Sequence, residues 1–494
     1  MKKIFSLIIL VSLSFACSDE WLDVNEDPNN SVSVTPDLLF TEAITQYSAS
    51  YRTTSINYIG SYVVQYWSSG NRFGGLFYDN QEYNVDEGYR NNLWLIYSNG
   101  LKNLELAISE AEEREFTNSV AQAKIMQAQM FLTMTNLYGD IPFTESLDLE
   151  INYPQFDDQQ VVYEGILGLI DEGLAAIDLD QPLTAIQSQD LIYEGDMEKW
   201  QRYANSLKFR VLMIMVDKVP EKANGIAALF NSNAPLINSN ASIAAYPFFN
   251  LNNNENYMYK WGVLFTSGIA GDGTKNEFFF ANNTLLDILL GREGQGYAVR
   301  DPRTLVYFDP GLDDDPDAID GIDNDRKGWF ASSAIVGRKW LNAATPDWYF
   351  TYAEQLALQA EAVVRGFING DADQLYRNAV RANMLQFTNN NGVPYITEAE
   401  IQTYLGALPD INSLSDEDAL FHVQLQQYLI YYGRGMEGWT NWRRTEVPAL
   451  TPTASSIYKD VMRRLQYDDT EPANNVNFPF ETLPLPDQKM WFDQ

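Results

Sequence analysis

Histidine and cysteine are almost missing from this chain. Its 494 residues hold one of each, His422 and Cys17. One cysteine excludes an internal disulfide and a cysteine-built zinc site. One histidine removes Ser-His-Asp catalysis unless His422 itself serves, and His422 falls inside an expected helix, where a packed or surface imidazole is the common outcome. No His-x-Glu zincin pattern occurs. Positive charge is scarce as well: 33 Lys and Arg stand against 67 Asp and Glu, for a net charge of −34. Nucleic-acid binding needs a basic footprint and is excluded. Outside a short N-terminal stretch there is no long apolar run, so no segment reads as a membrane-spanning helix. Aromatic rings, by contrast, are plentiful at 13%, within a hydrophobic content of 45%. That balance opposes disorder and suffices for a large core.

The hydrophobic pattern is helical. In Asp347–Phe387, residues Tyr349, Ala353, Leu356, Ala360, Val363 and Phe367 fall on one helical stripe. Gly366 and Gly370 bracket a break, and Leu375, Ala379, Val380, Met384 and Phe387 form a second stripe. Two such helices joined by a few residues pack antiparallel, because neither buries its stripe alone. The hairpin resembles a tetratricopeptide unit, although any α-hairpin would show the same stripes. Similar patterns predict helices over Thr35–Tyr47, Glu87–Glu115, Asn118–Tyr138, a segment capped by Asp157, Asp196–Lys218, Glu277–Leu290, Thr397–Leu405, Asp416–Tyr432 and Ser455–Leu465. Lys222–Asn254 and Arg300–Trp340 lose the helical period. The expectation is an all-α domain, with its hairpin scaffold at about 36–218 and 347–387 and loop-rich insertions at about 222–346.

The N-terminus reads as an address. Lys2 and Lys3 precede the apolar run Ile4–Leu13, and Ser14-Phe15-Ala16 leads to Cys17. The pattern predicts a signal peptide over residues 1–16 and a single domain over 17–494. The placement of Cys17 resembles a bacterial lipoprotein cleavage site, which would make Cys17 the lipidated residue and the outer membrane its anchor. Ser18, Asp19 and Glu20 resemble the acidic surface-export signal of Bacteroidetes lipoproteins.

Several stretches together resemble the SusD/RagB family of nutrient-binding outer-membrane lipoproteins. They are Trp21–Pro28, Tyr138-Gly139-Asp140-Ile141-Pro142-Phe143, Gly195–Val211, Asp301-Pro302-Arg303, the helix around Tyr352-Ala353-Glu354, Gln426–Pro448, and Arg463-Arg464 with Tyr467 and Glu471. The resemblance implies tetratricopeptide-like hairpins forming a right-handed scaffold with long irregular loop insertions. It also implies a cell-surface protein that captures oligosaccharides, or in some members peptides, for a SusC-like TonB-dependent transporter. No catalytic role follows from it. A glycoside hydrolase and a protein-binding helical scaffold remain the competing readings.

Sugar C–H faces pack on aromatic rings, and sugar hydroxyls take amide and carboxylate partners. Loop aromatics near amides are therefore the candidate ligand contacts: Trp67 with Asn71 and Arg72; Tyr257, Tyr259 and Trp261; and Trp329 and Trp340. Trp94 and Trp200 lie on helical stripes and are assigned to the core. Trp439, Trp442, Arg443 and Arg444 are read as structural ties, as are Arg303, Arg463 and Arg464, because arginine forks pair with carboxylates. Asp309–Asp325 carries eight aspartates. A Ca2+ site and a solvated acidic loop are both open there, but EF-hand spacing fails at Ala318 and at Lys327. No other cofactor is expected. Gly271-Asp272-Gly273-Thr274-Lys275 has the wrong order for a phosphate-binding loop.

Overall fold

The apolar stripes pair as antiparallel helices. Thr117–Tyr138 packs on Gln159–Ala176, and Tyr352–Val364 on Ala372–Gln386. In the second pair, Ala353, Ala357, Ala379 and Ala382 form one buried cluster, so the small side chains lie at the helix contact. Thr351 caps the first of these helices by accepting from Glu354 N at 3.2 Å, and Asp371 caps the second through Gln374 N at 3.1 Å. The turn between them uses Gly366 at φ +71°, a left-handed conformation that glycine adopts without strain. The computed structural model describes residues 34–69, 82–85, 87–148, 150–181, 189–260, 279–292, 296–311, 319–323, 333–454, 456, 458–468 and 470–493. Pro36–Gln494 forms one compact unit, and the fold is all-α with only short strands. Among the described residues, no helix is long and apolar enough to cross a membrane.

Several expectations are corrected. The first helix does not end at Tyr47. It passes from Pro36–Thr45 into an eleven-residue π-helix, Gln46–Ile56, and on into Asn57–Val63. A second π segment, Tyr97–Leu101, interrupts the helix expected over Glu87–Glu115. Lys222–Asn231 is helical despite its weak period, because Ile226 and Leu229 bury against the Met197–Met215 helix. Asp157 caps nothing. It lies in the strand Phe156–Asp157 and accepts from Phe143 N and Thr144 N, while Asp158 takes the cap position. The segment from Glu277 contributes the strand Phe279–Ala281 before its helix, which starts at Asn283 under an Asn282 cap. Tyr349 belongs to the strand Asp347–Phe350, paired with Ala244–Tyr246, and not to the helical stripe.

The described part of Ser455–Leu465 is irregular. Its main chain bonds elsewhere: Arg463 N and Arg464 N donate to Pro486 O, and Leu465 N donates to Leu137 O at 2.8 Å. These tertiary bonds override its helix propensity.

The strands Trp67–Ser69, Phe279–Ala281, Ile335–Val336 and Phe308–Asp309 form a small antiparallel sheet in that spatial order. The Gly435–Thr445 helix crosses Asn57–Val63 at Gly60 and Gly435: a Cβ on Gly60 would collide with the Gly435 backbone, and one on Gly435 with Asn57 O and Ser61 N.

Buried arginines join the pieces. Arg52 bonds Asp347 at 2.8 Å and Glu437 at 3.0 Å. Arg210 and Arg434 share Glu354. Arg444 grips Glu361, with Gln427 beside it. Arg303 forks onto Asp301 and reaches Asn383 and Gln426 on two helices. Arg443 donates to Asn136 O and Arg463 O. Arg464 bonds Tyr138 O, and the Tyr467 hydroxyl donates to Asp140 O at 2.6 Å. The closing segment is therefore tied to the Tyr138–Pro142 stop, as the structural reading of these arginines predicts.

Candidate functional site

The π-helix Gln46–Ile56 has two different faces. Its inner face carries Tyr47, Arg52 and Ile56. Burial alone would lower the Arg52 guanidinium, but the Asp347 and Glu437 carboxylates outweigh it and hold the group charged. Tyr47 and Tyr349 rings flank this cation, each with its centroid 5.6 Å away. The i→i+5 bonding that defines a π-helix is visible at Asn57 N, which donates to Arg52 O. Serine and threonine are indifferent helix formers, so tertiary anchoring and not propensity holds this stretch.

The outer face opens on a cleft of about 700 Å³. Tyr51, Thr53, Ser55, Tyr58, Met258 and Phe279 are its buried floor. Ser50, Asn92, Leu95 and Asn253 are exposed at its rim, with half-buried Thr54, Tyr257 and Lys260 between. The second π segment supports the wall: Asn99 donates to the Tyr51 hydroxyl at 2.8 Å. Burial raises the Tyr51 phenol above its ordinary value, so it stays a neutral hydroxyl at physiological pH. The cleft thus combines aromatic side chains with hydroxyls and amides and one ammonium, that of Lys260. Long π-helical turns are rare and are found often at functional sites.

The expected ligand residues divide sharply. Tyr257 lines the cleft. Tyr259 packs against the core beside it, under an Asn256 cap. Trp67 and Trp340 do not present open rings and are corrected to core positions. Trp67 is 0% exposed, donates its indole N–H to Tyr432 Oη at 3.0 Å, and packs on Phe279, Trp340 and Tyr62. Trp340 is 2% exposed. Asn71, Arg72, Trp261 and Trp329 lie outside the described residues, as does Cys17. So do Asp313, Asp314, Asp315, Asp317 and Asp325 of the acidic loop. Of its other members, Asp309 bonds Arg338, Asp320 bonds Arg292, and Asp323 meets Asn283. No cluster of metal-ligating side chains occurs among the described residues.

Trp200 is fully buried, and Trp94 packs half-buried among Tyr97, Tyr138, Phe156 and Tyr467. His422 stacks on Tyr297 and meets its hydroxyl at 3.2 Å, and burial lowers its imidazole. The cleft hydroxyls of Ser50–Ser55 were missed by the sequence reading. The signal for them is the dense run of small polar residues interrupted by Tyr51 and Arg52, directly behind an amphipathic helix.

No curated protein sequence matches. Among solved structures, a Bacteroidetes protein described as AC2a SusD-like is similar at a TM-score of 0.77 and 18% identity, covering 93% of this chain and 100% of the other. A chitin-binding protein is similar at 0.75 and 23% identity, with coverage of 93% and 100%. A SusD homologue from Bacteroides fragilis is similar at 0.73 and 22% identity, with coverage of 93% and 99%. At these identities the likeness shows the fold. A family profile described as starch-binding and associating with the outer membrane matches residues 28–468, so the chain belongs to the SusD-like family.

Proposed function

We propose that the protein is a cell-surface glycan-binding lipoprotein, tethered through Cys17, that captures oligosaccharides and delivers them to a partner SusC-like TonB-dependent outer-membrane transporter. The cleft beside the π-helix carries this reading. Tyr257 supplies a half-buried ring face for sugar C–H groups, while Ser50, Thr54, Asn92 and Asn253 supply hydroxyl and amide partners. Family membership supports association with the outer membrane. The function is binding without turnover. Rings, hydroxyls and amides hold a sugar, whereas glycoside hydrolysis calls on two carboxylates astride the bond.

The test is calorimetric titration with maltohexaose, cellohexaose, xylohexaose and chitohexaose, because one relative of this fold is chitin-binding and the family description is starch-binding. Micromolar-class binding that Tyr257→Ala weakens, with no new reducing ends after incubation, is the expected result. Release of reducing ends, or no binding to any of the four, overturns it. Cys17→Ala is expected to leave the body soluble and unanchored, and persistent membrane fractionation of that variant counts against the tether.

A further inference from the structure

Asparagine followed by glycine occurs four times in the chain, at Asn99-Gly100, Asn224-Gly225, Asn369-Gly370 and Asn391-Gly392. The pair has a chemistry of its own. The glycine main-chain nitrogen can attack the asparagine carboxamide carbon, and with no Cβ on the glycine nothing shields that nitrogen. The attack needs an N–H that is not committed to a hydrogen bond and a side chain free to swing towards it.

Three of the four pairs are held. Asn99 lies within the π segment Tyr97–Leu101, with its amide on the Tyr51 hydroxyl at 2.8 Å and Gly100 buried. Asn224 and Gly225 lie inside the Lys222–Asn231 helix, where the main chain is fixed. At Asn391-Gly392 the glycine N–H is taken, since Gly392 N donates to Asn389 O at 2.9 Å.

Asn369-Gly370 is different. Both residues are exposed, on the link between the paired helices Tyr352–Val364 and Ala372–Gln386. The first part of that link turns back onto the helix behind it: Gly366 N donates to Val363 O, and Phe367 N and Ile368 N donate to Ala362 O. The pattern stops there. Neither the Gly370 N–H nor the Asn369 carboxamide has a hydrogen-bond partner among the described residues. Asp371, directly after the pair, is fixed as the cap of the second helix and accepts from Asn412 Nδ2 at 2.8 Å.

We propose that Asn369 is a site of spontaneous deamidation, the one Asn-Gly pair that the fold leaves open to it. Gly370 N gives up its proton as it bonds to Asn369 Cγ. The Cγ–Nδ2 bond breaks, and the side-chain nitrogen takes up a proton and leaves as ammonia. Water then opens the cyclic imide at either carbonyl, giving aspartate or isoaspartate. Nothing is oxidised or reduced. Either product sets a new carboxylate two residues ahead of Asp371, and isoaspartate also adds a carbon to the main chain of the link.

The inference does not depend on the glycan-binding reading. The experiment holds the full chain in mildly alkaline buffer at body temperature, folded and in urea, and follows the peptides by mass spectrometry after acidic digestion. In the folded chain the peptide carrying Asn369 is expected to show the mass gain of an amide-to-acid change several times faster than the peptides carrying Asn99, Asn224 and Asn391. In urea the four rates are expected to converge. Asn369→Gln is expected to remove the change at that peptide and leave the unfolding midpoint where it was. No conversion at Asn369 in the folded chain by the time the urea-treated chain has converted overturns the inference, as does faster conversion at any of the other three.

Discussion

The two faces of one segment, Gln46–Ile56, show how the molecule divides its work. The inner face is closed, with Arg52 0% exposed and locked between two carboxylates. The outer face, a few ångströms away, offers Ser50, Thr54 and Ser55 to a cleft. Along this segment, charge stands where water is excluded, and hydroxyls stand where the cleft opens. A buried ion pair stabilises only while both partners remain, whereas a lone exposed hydroxyl contributes little to stability. Substitutions on the two sides are therefore expected to fail in different ways, and four variants sharpen the contrast.

The largest effect is expected from Glu361→Ala. Burial would raise this carboxyl, but Arg444 outweighs it and holds it below the usual range. Removing the acid leaves a buried guanidinium uncompensated, at a cost of about 3–5 kcal/mol by denaturant unfolding. A loss under ~1 kcal/mol would mean that this buried pair does not hold the Tyr352–Val364 and Gly435–Thr445 helices together.

Asp493 tests the same rule at the chain's end. Its carboxyl is buried beside Arg443 and Arg463, and burial pushes it from 3.8 up to about 6. The folded state binds this proton more tightly than the unfolded chain. Its contribution is therefore fully present below pH ~4 and lost as pH rises through about 6. Asp493→Asn is expected to remove a decline of up to ~3 kcal/mol from the unfolding free energy between pH 4 and pH 7. Identical pH slopes in variant and wild type would refute the assignment.

Gly60→Ala places a methyl group against the Gly435 backbone. Overpacking of this kind costs about 1–3 kcal/mol, visible as a lower thermal midpoint. Tyr257→Ala belongs to the open face and is expected to reverse the pattern. Unfolding should change by no more than about 0.5 kcal/mol, while glycan affinity falls roughly tenfold. A large stability loss with intact binding would assign Tyr257 to the core.

The helical pairs were legible because an apolar side chain every third or fourth residue has one physical solution. Tyr352–Val364 with Ala372–Gln386 follows directly from that rule, including the alanines at the contact. The structural role of Arg444 was legible too, since a chain this acidic supplies a partner, Glu361, whereas Arg443 is held by the main-chain oxygens of Asn136 and Arg463 and not by an acid. The strands were not, because Phe308–Asp309 and Ile335–Val336 are two residues each and carry no period. The site was legible only in part. A tryptophan near amides looks the same in sequence whether its N–H meets a sugar or, as for Trp67, Tyr432. Tyr257 was found by its setting, whereas the Ser50–Ser55 hydroxyls need the π turn to come into line.

That turn also gives the cleft a way to change. A single-residue deletion within 46–56 would let the i→i+5 bonds relax to ordinary i→i+4 spacing. Everything before the deletion would rotate relative to everything after it, and a different set of side chains would face the cleft. Relatives could thus acquire new cargo preferences by slipping one residue in a surface helix, leaving the interior lattice of arginines and acids as it is.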